Sequence, residues 1–126
     1  MGGLAAVRIL VAEDDARVRE ALTDLIATQP DLQLVDAVAD APAAAAAAER
    51  EAPDVAIVDV RMPGGGGAWA TREIRRRSPT TRVLAFSGHT DERIVNEMIE
   101  AGAQGYIVKG SSITAILESI AVASAA

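Results

Sequence analysis

Carboxylates gather at Glu13, Asp14 and Asp15, directly after the apolar run Val7 to Ala12, and another stands at Asp59, after Val55 to Val58. A third run, Val83 to Phe86, stops at Ser87, and a fourth, Tyr106 to Val108, stops at Lys109. Carboxylates crowded into one crevice repel and raise each other's pKa, a conflict that a hard divalent cation resolves. Oxygen donors without histidine or cysteine favour Mg2+ over zinc. An ammonium and a hydroxyl beside such a cation suit a phosphoryl oxyanion, and one of the carboxylates is then placed to act as nucleophile. The chemistry on offer is phosphoryl transfer at a carboxylate.

For these residues to meet, the apolar runs must be neighbouring parallel strands. The central stretch is Asp54 to Pro63: a short run bounded by turn formers, followed by Gly64 to Gly67, reads as a strand buried on both faces. Ligands of parallel sheets bind beyond the carboxyl ends of the strands, where Asp59 stands. Five strands are predicted, at Val7–Ala12, Leu32–Val38, 54–59, Arg82–Phe86 and 104–108. Helical spacing fills the intervals: 16–28 with Asp15 as N-cap, an alanine-rich and thinly packed helix after Pro42 to Glu51, 68–77, 91–101 closed by Gly102, and a last helix capped by Ser111 or Ser112. Strands alternating with helices imply one α/β domain with a mostly parallel sheet.

Composition narrows the class. The chain of 126 residues carries a net charge of −6, which disfavours nucleic-acid binding through this domain. It has no cysteine, in keeping with a reducing cytoplasm, and no apolar stretch long enough for a membrane span. Residues 1–6 lack a charged, then apolar, leader and read as a flexible start. Eleven of the twelve basic residues are arginine, so the one lysine, Lys109, marks a position that calls for an ammonium rather than a guanidinium.

Taken together, Glu13-Asp14, Asp59 followed by Met62-Pro63 and Gly67, Ser87, and Gly102-Ala103-x-Gly105-Tyr106 leading to Lys109 resemble the receiver domain of bacterial two-component response regulators, over essentially the whole length. The style of the C-terminal third is similar to receivers attached to helix-turn-helix transcriptional regulators. The resemblance implies a flavodoxin-like (CheY-like) doubly wound, five-stranded parallel sheet of order 2-1-3-4-5 with helices on both faces, a fold for which CheY is a standard example. It implies that Asp59 accepts a phosphoryl group from a histidine kinase or phosphotransfer protein. Asp14, Asp59 and the backbone carbonyl of Arg61 would hold Mg2+, with Glu13 acting through water. Lys109 and Ser87 would bind phosphoryl oxygens, and Ser87 with Tyr106 would switch the face made by the fourth helix, fifth strand and fifth helix, through which a homodimer could form. Such a domain is a cytoplasmic switch that catalyses only its own phosphorylation and dephosphorylation; either an output domain follows it, or it acts alone by binding a partner.

Some positions depart from the family's pattern. Gly110 follows the lysine where proline, often after a cis bond, is usual, and only glycine separates Pro63 from Gly67, which should loosen that loop. Arg61 and His89 lie two residues beyond Asp59 and Ser87, where they are expected to tune the lifetime of the phosphoryl group. Plainer roles stand beside these: Asp15 as a helix cap, Tyr106 as a half-buried strand residue, His89 as a loop residue. A pseudo-receiver, the same fold used as a phosphorylation-independent interaction module, is the main alternative, but the acidic pair, Asp59, Ser87 and Lys109 argue against it. A flavin protein would want a phosphate-cradling loop where Glu13-Asp14-Asp15 stands. A phosphatase of the aspartyl type would carry its nucleophile at the first strand.

Overall fold

The computed structural model describes residues 5–88 and 92–125. Ten elements alternate: β1 (Val7–Ala12), α1 (Ala16–Ala27), β2 (Leu32–Val38), α2 (Ala41–Glu51), β3 (Val55–Asp59), α3 (Gly66–Arg77), β4 (Arg82–Ser87), α4 (Glu92–Ala101), β5 (Gly105–Val108) and α5 (Ile113–Ala125). All strand pairs are parallel and the order is β2-β1-β3-β4-β5, as the resemblance implies.

The two faces of the sheet are packed with side chains of different size. Ile9, Val11, Val55, Ile57, Leu84, Phe86 and Ile107 meet Leu22 and Ile26 of α1 and Ile116 and Ile120 of α5. On the other face Leu10, Ala12, Ala56, Val58, Val83 and Ala85 share one core with α2, α3 and α4, and Ala41, Ala44, Ala45, Ala47 and Ala48 of α2 are all at most 1% exposed. The alanine run is therefore not thinly packed. It is a helix fully buried on one side, whose short side chains let it sit close to the sheet.

Caps set most boundaries. Asp15 accepts from the backbone N–H groups of Arg17 and Val18, as expected, and Asp40 caps α2 at Ala43 with Pro42 in the first turn. Gly102, at φ +116°, closes α4, and Ser112 Oγ accepts from Ala115 N to start α5. One boundary differs in kind: α3 starts at Gly66, before the expected Ala68, despite glycine's poor helix preference. The reason is tertiary. A Cβ on Gly67 would collide with the Asp59 carbonyl oxygen and lie 2.8 Å from Val60 Cα, so only glycine lets α3 begin against the end of β3.

Candidate functional site

Strand register brings the candidate residues to one edge. Ala12 faces Val58 and Asp59 faces Phe86, so Glu13, Asp59 and Ser87 occupy adjoining strand ends. Ser87 faces Val108, which puts Lys109 one step beyond it, and Lys109 N donates to Ser87 O at 2.8 Å. A crevice of about 300 Å³ opens there, lined by Asp14, Asp15, Asp59, Arg61, Ser87, Gly88 and Lys109.

Its acidic core is Glu13, Asp14 and Asp59, each offering a carboxylate oxygen within 4.8 Å of the others. Glu13 is fully buried and Asp59 is 4% exposed, while Asp14 stands at the exposed rim. Glu13 Oε2 accepts from Asp15 N at 3.0 Å. Lys109 Nζ lies 2.7 Å from Glu13 Oε1 and 3.3 Å from Asp59 Oδ1, a single ammonium between two buried carboxylates. Its approach to Glu13 is off the direction a hydrogen bond needs, so buried Oε1 accepts none. The ammonium also stands over the Phe86 ring, 5.4 Å from its centroid.

The charges do not balance locally. Burial, then the neighbouring Glu13, push the Asp59 carboxyl up to about 7, against the opposing pull of Lys109 and of Arg61 N, which donates to Oδ1 at 3.3 Å. Asp14 is held below the ordinary carboxylate value: its slight burial works the other way, and hydrogen bonding with Asp59 and Glu13 outweighs it. For Lys109, burial alone favours the neutral amine, but Glu13 and Asp59 together hold the ammonium above its usual value. Three oxygen-bearing acids converge on one spot, and a buried carboxylate oxygen there accepts no hydrogen bond. That donor set fits a hard divalent cation.

Of the other expected site residues, Ser87 is buried at the end of β4 on the crevice wall, and Arg61 is exposed on its rim. Tyr106 lies outside the crevice: it faces Ala85 across the β4–β5 pairing, half-buried, and lines a groove between β5 and α5. His89 lies outside the described residues. The Lys109–Gly110 bond is not cis, and Gly110 takes φ +89°, a conformation closed to proline. The glycine loop is knit by hydrogen bonds: Gly66 N donates to Met62 O, Gly67 N to Val60 O, and Ala41 N to Pro63 O.

Arg19 is one contributor that the sequence did not single out. Its Nη1 donates to the Glu13 carbonyl at 2.8 Å and reaches the Asp14 carbonyl at 3.4 Å. It stands four residues after the N-cap Asp15, which places it on the same side of α1 as the acidic loop, and that spacing is the signal that could have found it.

Residues 9–121 match the family model of the response regulator receiver domain. Among curated proteins, the transcriptional regulatory protein DegU of Brevibacillus brevis is 32% identical over 92% of this chain and 49% of its own length. The DNA-binding transcriptional activator DevR/DosR of Mycobacterium tuberculosis is 35% identical over 82% of this chain and 48% of its own. The chain thus spans about half the length of the curated relatives it matches. Among solved structures, the signal receiver domain of NarL from Mycobacterium tuberculosis superposes with a TM-score of 0.92 at 30% identity, covering 97% of this chain and 98% of that one.

Proposed function

This chain belongs to the response regulator receiver family, and from that premise we propose that it is a phosphoacceptor switch in which Asp59 receives a phosphoryl group from a histidine kinase or phosphotransfer protein. The observation that carries the reading is the placing of Asp59 at the end of β3, within reach of both other acids and 3.3 Å from the sole lysine. In the transfer the donor's N–P bond breaks as an O–P bond forms at the Asp59 carboxylate, and the imidazole leaves with its proton. Phosphoryl transfer of this kind needs positioning and charge neutralisation more than covalent help. Bound Mg2+ would supply neutralisation of the phosphoryl oxygens, held by Asp14, Asp59 and the Arg61 carbonyl, with Glu13 acting through water. Asp59 must be ionised to attack, and its carboxyl stands at about 7 in the metal-free cluster, so its ionisation and cation binding favour each other.

The remaining roles follow from position. Lys109 pairs with one phosphoryl oxygen and Ser87 hydrogen-bonds another. Ser87 and Tyr106 lie on neighbouring strands, so a shift at the first passes to the α4-β5-α5 face. Ile99 on α4, 55% exposed, and Val122 on α5, 73% exposed, give that face apolar surface for a second copy. The domain acts on no outside substrate and works in the cytoplasm, and it binds no nucleic acid itself. Arg61 tunes the lifetime of the phosphoryl group, as His89 does.

The test is intact mass after incubation with acetyl phosphate and Mg2+, beside Asp59→Asn. One phosphoryl group in the parent, dependent on Mg2+ and missing from the variant, is the expected result. No adduct, together with no response of Trp69 fluorescence or melting temperature to beryllium fluoride and Mg2+, would leave the pseudo-receiver as the better reading.

A further inference from the structure

Arg19 does not reach into the crevice, yet its guanidinium hydrogen-bonds the main chain of both residues whose side chains form the acidic rim and floor. Nη1 donates to the Glu13 carbonyl at 2.8 Å and reaches that of Asp14 at 3.4 Å, in a partly buried contact that spans six residues. The loop is otherwise tied by Glu13 N to Val38 O at 3.0 Å and by Asp15 N to Glu13 Oε2. These hold its entry and its exit. The peptide carbonyls between them, which set the directions of the Glu13 and Asp14 side chains, meet only Arg19 among the hydrogen bonds of the described residues.

We propose that Arg19 is a positioning residue for the cation site, holding the Glu13–Asp14 main chain in the one orientation that brings its two carboxylates to Asp59. This rests on the phosphoacceptor reading, since it supposes a cation among these acids. Arg19 ties the first turns of α1 to the end of β1, so the loop moves with the helix and the sheet rather than alone. Partners that orient metal ligands from behind commonly matter for affinity although they touch no metal.

Charge and position predict opposite outcomes when Arg19 is removed. A guanidinium close to the site repels a divalent cation, so if Arg19 acted through its charge alone, Arg19→Ala would bind Mg2+ more tightly. If it acts by position, Arg19→Ala binds more weakly, by about three- to tenfold given that it grips the main chain and not the ligands themselves. Arg19→Gln, neutral like alanine but with an N–H donor retained, recovers part of the loss.

The experiment is calorimetric titration of Mg2+ alone into the parent, Arg19→Ala and Arg19→Gln, with circular dichroism and melting temperature recorded for each. Weaker binding in Arg19→Ala, partly restored in Arg19→Gln, is expected, both variants remaining folded. Unchanged or tighter Mg2+ binding in Arg19→Ala overturns the inference, even where its melting temperature falls, because the contact then only steadies α1. If Arg19→Ala does not fold, Arg19→Gln and Arg19→Lys carry the comparison, and parental affinity in both overturns it. A parent that binds no Mg2+ overturns the cation site and this inference with it, whereas parental binding with no effect of Arg19 overturns the inference alone.

Discussion

Replacing Asp59 by asparagine should make the metal-free protein more stable at pH 8, and by a margin about a third as large at pH 5. The side chain is 4% exposed and sits against fully buried Glu13. Burial, then Glu13, raise its carboxyl from 3.8 to about 7. A carboxyl whose folded pKa exceeds its unfolded value binds more protons in the native state across that interval. It therefore favours folding most below 3.8, and the contribution is lost as pH rises toward 7. The gap between 3.8 and about 7, at roughly 1.36 kcal/mol per pH unit, sets a ceiling on the order of 4 kcal/mol for the cost of ionising Asp59 in the folded chain. Asp14 shares that titration, which brings the gain expected from asparagine to about 1–3 kcal/mol. For a domain of this length the gain is a rise in melting temperature of roughly 4–10 °C. The assay is thermal unfolding of parent and Asp59→Asn in EDTA at pH 5 and pH 8, then at pH 8 with Mg2+, which should raise the parent more than the variant. A variant no more stable than the parent at pH 8, or one equally stabilised at pH 5, would refute the account of the site as a strained acidic cluster.

Two further substitutions probe the same edge. Lys109→Ala leaves buried Glu13 Oε1 without its neighbouring ammonium, and should cost about 1–3 kcal/mol at pH 8 by urea unfolding, the partial exposure of Lys109 keeping the figure below that of a fully buried pair. A smaller loss at pH 5 is expected, because Asp59, pushed up to about 7, is then protonated and no longer needs the counter-charge. Gly67→Ala sets a methyl group against the Asp59 carbonyl and Val60 Cα, and should destabilise by roughly 1–3 kcal/mol. It should also weaken Mg2+ binding in a calorimetric titration, since the strain falls on the nucleophile's own backbone.

The first two strands were legible to the residue, because each is an apolar run that ends at turn formers or charge; β3 starts one residue later than expected, at Val55, and β4 runs one residue further, to Ser87. The site was legible for the same reason. Glu13, Asp14, Asp59, Ser87 and Lys109 are strand-end residues, and a parallel sheet collects strand ends at one edge. What could not be read were properties of contact across the fold. The start of α3 at Gly66 depends on how closely Gly67 approaches β3, and local propensity argued against it. The depth at which the alanines of α2 are buried depends on its packing against β1, β2 and α3, a match between segments far apart in sequence. Arg19 was missed because its partners are main-chain carbonyls, so that only its spacing from the N-cap Asp15 pointed to the acidic loop.

Lys109 ties these observations into a way the site could report its own state. In the metal-free chain its ammonium serves two buried carboxylates at once, at 2.7 and 3.3 Å, and neither is balanced by it alone. On the phosphoacceptor reading, a phosphoryl group on Asp59 brings more negative charge than the carboxylate it modifies, and a cation among the acids relieves Glu13 of its need for the lysine. Both changes draw the ammonium away from Glu13 and toward Asp59. Lys109 cannot move far without its strand, for its N–H is held by the Ser87 carbonyl at 2.8 Å, and Tyr106 lies three residues back on the same strand. Downstream, Gly110 at φ +89° gives the joint to α5 a conformation that proline would forbid. The pull on the lysine therefore meets resistance on both sides: the Ser87 carbonyl on the β4 side, and on the α5 side a turn closed by Ser111, whose N–H and hydroxyl donate to the Val108 carbonyl at 3.1 and 2.6 Å.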